Sequence, residues 1–108
     1  MAKYVNADDF LLGIVGGAAD LEISGVGTIR VRAIDYMDLD RINREAQGNE
    51  IMAGFLMASA AIVEPQLTEE QLQLLQKARP GVIAAISKRV QELSGIREDM
   101  ENLAGGGS

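Results

Sequence analysis

From Ile51 to Val63 thirteen residues pass without a charged side chain, and this run constrains the fold more than any other feature of the chain. Asn49 precedes it as a helix cap, and Pro65 ends any helix at or before Glu64, so the spacing predicts one helix from Glu50 to about Val63. That helix is apolar almost all round, through Ile51, Met52, Phe55, Leu56, Met57, Ile62 and Val63. Leaving these side chains in water costs roughly 10–20 kcal/mol at most. A typical domain has only about 5–15 kcal/mol of stability in total. The helix is therefore expected to lie centrally in the fold or to be shared with a partner surface. It is too short for a bilayer, which needs roughly 20 apolar residues.

Upstream the period is two. Leu21 and Ile23 alternate with Glu22 and Ser24. Beyond Gly25-Val26-Gly27, residues Ile29, Val31 and Ala33 alternate with Thr28, Arg30 and Arg32. This pattern predicts an antiparallel β-hairpin over about 20–34. A turn centred on Val26 sets Leu21 against Val31 and Ile23 against Ile29, with Glu22 facing Arg30 and Asp20 facing Arg32. A bulge at Gly27 would shift that register by one. Two strands alone are marginal in water, so the apolar face must rest on helices or on another chain. Before the hairpin, Phe10, Leu11, Ile14 and Val15 fall at helical spacing behind Asp8, the expected N-cap. Gly13, Gly16 and Gly17 weaken that helix, and a strand is the competing reading.

From residue 35 onward the chain reads as mainly α-helical. Asp35 caps a helix with Asp38 in its first turn and Leu39, Ile42 and Ala46 on one face, stopped by Gly48. After the long apolar helix, Thr68 and Gln71 form a capping box for a helix carrying Leu72, Leu75 and Ala78. Pro80 suits the first turn of the next helix. Its stripe is Val82, Ile83, Ile86, Val90 and Leu93, and Gly95 stops it. Ile96, Met100 and Leu103 suggest a last short helix. The expectation is an α+β fold in which the hairpin packs with four to six short helices. Residues 1–103 make one small domain, and 104–108 form a disordered Gly-rich tail.

The chemistry on offer is narrow. The 108 residues include no cysteine and no histidine, which removes thiol nucleophiles, zinc-thiolate sites and the commonest general base and transition-metal ligand. An enzyme is not expected, and neither is a cofactor or metal. A net charge of −6 argues against a general grip on nucleic acid or an anionic membrane surface. Asp35, Asp38 and Asp40 fail as an EF-hand, because Ile42 and Asn43 fill the fifth and sixth positions from Asp38. Gly13-Ile-Val-Gly16-Gly17 lacks the Gly-Lys-Ser/Thr of a P-loop. Met37, Met52, Met57 and Met100 either fill an irregular core or furnish an adaptable surface for helices.

The order of elements from about Leu21 to Ile96 resembles the tail assembly chaperones of long-tailed bacteriophages and prophages. The hairpin Leu21-Glu-Ile-Ser-Gly-Val-Gly-Thr-Ile-Arg-Val-Arg carries the likeness. So do the two helices after it, the phrase Ile62-Val-Glu-Pro-Gln-Leu-Thr-Glu-Glu-Gln-Leu, and Leu93-Ser-Gly-Ile. The resemblance implies a non-enzymatic protein of the host cell cytoplasm. Its partner would be the hydrophobic, helical tape measure protein, kept soluble until the tail tube forms around it. It also implies a longer product made by ribosomal frameshift, which would reach the tail tube protein. Gly105-Gly106-Gly107 suits a slippery coding run and equally an appended linker. Self-association into rings or spirals stays open, as does a structural tail component (adaptor or minor tail protein) retained in the virion. Mass spectrometry of virions separates that last reading from a chaperone. On either reading Met52, Phe55, Leu56 and Met57 are the residues expected to line a client groove or an oligomer seam.

Overall fold

The computed structural model describes residues 3–96, and its architecture is α+β. In order come α1 (Ala7–Ile14), β1 (Ala18–Ile23), β2 (Gly27–Arg32), α2 (Tyr36–Ala46), α3 (Glu50–Ala61), β3 (Ile62–Glu64), α4 (Glu69–Leu74) with a 3-10 turn Leu75–Lys77, and α5 (Pro80–Ser94). The strands form one antiparallel sheet in the order β1-β2-β3. Met100, Leu103 and the Gly-rich 104–108 lie outside the described residues, while Ile96 packs against the core.

The hairpin register differs from the expected one by two. Leu21 faces Ile29, Ala19 faces Val31, Asp20 faces Arg30 and Glu22 faces Thr28. The turn centres on Gly25, not Val26. Val26 N–H donates to the Ile23 carbonyl at 3.0 Å, and Gly25 has φ +78°, the left-handed conformation that the third residue of a type II turn requires. Gly27 thereby becomes the first paired residue of β2. A slip of two preserves the alternation, so Leu21, Ile23, Ile29 and Val31 stay on the core side. The slip also changes Arg32. It no longer faces Asp20, which pairs with Arg30 at 3.3 Å, and instead reaches Asp38 at 2.8 Å, tying β2 to α2.

A third strand replaces the end of the predicted apolar helix. α3 stops at Ala61, and Ile62–Glu64 pairs with Val31 and Arg30 of β2 across an irregular register. Ile62 and Val63 are β-branched, and Pro65 disfavours helical backbone at Glu64. An open strand edge nearby decides the outcome. The N-cap of α1 is Asn6, whose side chain accepts from Asp9 N–H at 2.8 Å; Asp8 and Asp9 occupy the first turn instead. Asp35 and Asp38 form a reciprocal capping box for α2, and Thr68 and Gln71 form another for α4.

The core gathers one face of the sheet against α2, α3 and α5. Val31, Ile42, Ile86 and Val90 are sealed from solvent, with Ile34, Met57, Ala58 and Ala61 around them. α3 lies between α2 and α5. Ser94 closes the corner where β2 leaves the sheet. Its hydroxyl accepts from Ile34 N–H at 2.9 Å and donates to the Val90 carbonyl at 2.6 Å.

Candidate protein-binding site

Helical spacing puts Glu50, Gly54 and Met57 on one flank of α3 and Pro80, Ala84, Ser87 and Gln91 on one flank of α5. These two flanks face each other across an open groove of about 1230 Å³. The floor is Met57 and Ser87. Ser87 is 6% exposed, and its hydroxyl donates to Met57 Sδ at 3.6 Å while accepting from Gln91 Nε2 at 3.2 Å. A Cβ on Gly54 would sit 3.8 Å from Ser87 Oγ, so small residues on both helices set the depth. Phe55, Leu75 and Ile83 supply apolar wall, and the exposed Ile51 and Ala84 stand at the rim.

The four residues expected from sequence do not share one surface. Phe55 is half-buried on the groove wall, and Met57, 7% exposed, is in its floor. Leu56 is half-buried against the core cluster and does not line the groove. Met52 is partly exposed and also lies outside it. A helix turns by about 100° per residue, so the consecutive positions 55, 56 and 57 cannot face one way. Met37 is exposed on α2, beside Arg41 and Glu45. The groove residues missed in the sequence are Ile51, Gly54, Ala84 and Ser87. The available signal was the run of small residues at Gly54, Ala84 and Ser87, each next to an apolar stripe.

A second apolar surface was also missed. α1 contributes no buried residue, and Phe10, Leu11, Leu12, Ile14 and Val15 are each more than half exposed. Covering five such side chains would release on the order of 4–8 kcal/mol, counting only their exposed portions. No element among the described residues covers them. The root of α1 is fixed. Gly17 accepts from Ala33 N–H at 2.7 Å, and Gly16 lies so near Ala33 that a Cβ there would overlap it.

Several carboxylates serve local structure. Asp38 is held below its ordinary value of 3.8, chiefly by the hydrogen bond from Arg32, with the Asp35 N–H and the charges of Arg32 and Arg41 adding to it and burial opposing. Arg44 pairs with Asp40, and Arg89 with Glu92 at 3.2 Å. Among the described residues no group of three or more acids is placed to hold a metal ion, and no helix is long and apolar enough to cross a membrane. What the arrangement offers is apolar surface, in a groove and on a projecting helix. No family model, curated protein or solved structure matches this chain.

Proposed function

We propose that the chain is a non-enzymatic binding protein for an apolar helical client, a tail assembly chaperone that keeps the tape measure protein soluble in the host cytoplasm. One observation carries the reading. The α3–α5 groove is open, walled by apolar side chains, and of the size of a helix segment. A helix laid into it meets side chains at its i, i+3 and i+4 positions, the usual mode of helix-in-groove recognition. The thioether of Met57 lets the floor accept clients of varied sequence. The acidic net charge of −6 keeps a complex of chain and greasy client in solution. A longer frameshift product would add contacts to the tail tube protein.

The test is co-expression of the full chain with the tape measure protein encoded nearby, beside Ala84→Arg. Ala84 is exposed, so the substitution fills the groove without entering the core. The native chain is expected to hold the client in the soluble fraction and copurify with it, and the variant to lose at least most of the captured client. A client that is equally soluble without the chain, or bound equally by Ala84→Arg, contradicts the proposal.

A further inference from the structure

We infer that the chain associates with itself by placing α1 of one copy in the α3–α5 groove of another. This goes beyond client binding and does not depend on it. The two surfaces match in size. An eight-residue helix is about 12 Å long and roughly 10–12 Å across, a cylinder of about 900–1400 Å³, against a groove of about 1230 Å³. They match in character, since Leu11, Leu12 and Ile14 are exposed on α1 and the groove walls are apolar.

They also match in charge. Asp8 and Asp9 at the start of α1 meet no cation among the described residues. Lys88 lines the groove, and Lys77 and Arg79 alternate with its lining residues Gln76, Ala78 and Pro80. All three are exposed and make no ion pair among the described residues. Of the lining acids, Glu92 is held by Arg89, and Glu50 is the first residue of α3. An arm entering with its acidic turn toward the α5 side gains partners it lacks at home. Arm and groove are different patches, so the contact is heterologous. It closes as a reciprocal pair or continues from copy to copy.

Sedimentation of the full chain over a concentration series, without client, tests this. The native chain is expected to gain mass with concentration. Leu12→Asp spoils the arm and Ala84→Arg the groove; both positions are exposed, and circular dichroism checks that each variant folds. Each variant alone is expected to stay monomeric, while an equimolar mixture forms a one-to-one complex, because each supplies the surface the other lacks. Asp8→Asn and Asp9→Asn are expected to weaken association by about 1.5- to 5-fold each, the range for exposed ion pairs. A native chain that is monomeric throughout overturns the inference, as does one whose α1 is protected by folding back on its own groove. So does a mixture that fails to pair. A chain that captures client but never self-associates sinks this inference alone. A chain that self-associates but captures no client sinks only the chaperone reading.

Discussion

α1 and α3 are both apolar helices, and the fold treats them in opposite ways. α3 lies between α2 and α5 and buries Met57, Ala58 and Ala61. α1 buries nothing, although Leu11, Leu12 and Ile14 are as greasy as anything in α3. Apolar composition states that a helix needs cover; it does not state whose. α3 finds cover because it sits between two amphipathic helices with complementary stripes, Leu39-Ile42-Ala46 and Ile83-Ile86-Val90. α1 joins the sheet through Gly16-Gly17, and no element among the described residues buries it. One helix therefore stabilises the fold, and the other leaves its apolar side chains exposed among the described residues.

The sharpest way to break this contrast is a pair of substitutions. Ile86→Ala in the sealed core beneath α3 is expected to cost about 2–5 kcal/mol, Ile86 being 2% exposed. Leu12→Asp on α1 is expected to change monomer stability by no more than about 0.5 kcal/mol. Urea unfolding of dilute protein measures both, and a large loss in Leu12→Asp would mean that α1 is covered after all. Next in size is the hinge. Gly16→Ala forces a Cβ into that of Ala33 and is expected to cost about 1–3 kcal/mol, through the β2 exit and not through the arm.

Two glycines then compare the helices directly. Gly54→Ala has room beside Ser87 and is expected to raise the unfolding free energy by about 0.5–1 kcal/mol, since α3 belongs to the cooperative unit. Gly13→Ala has nothing within 4 Å. It is expected to increase helix content near α1 in circular dichroism while leaving the urea midpoint unchanged. The smallest effect is acid sensitivity. Asp38 titrates below its ordinary 3.8 in the folded chain, so its contribution is complete above that value and is lost as pH falls through the lower folded one. The stability gap between the native chain and Asp38→Asn is expected to shrink over that acidic window and stay constant above it.

Much of this was legible in the sequence. The α+β class, the hairpin, the caps at Asp35, Asn49 and Thr68, and the α5 stripe follow from period, capping chemistry and breakers, all of which act locally. The hairpin register was not fixed, because Gly25-Val26-Gly27 offers two glycines and either centre closes a turn. β3 was hidden because Ile62-Val63 continues an apolar run, and only the free edge of β2 selects strand over helix. The lining of the groove was legible only in part. Phe55 and Met57 stand out in the sequence by their bulk. Gly54, Ala84 and Ser87 matter by being small where two helices meet, which no single-helix pattern reveals. The exposure of α1 was invisible for the same reason: helical spacing shows a stripe, and only tertiary structure shows that the described residues leave it uncovered.

The claim that this chain keeps apolar surface free for another protein is tested most directly by amide hydrogen exchange on dilute, isolated protein. Amides of α1 are expected to exchange at nearly unfolded rates while those of α3 and α5 exchange only with global unfolding, and α1 is expected to gain protection as concentration rises. Protection of α1 equal to that of α3 at the lowest concentration would contradict it.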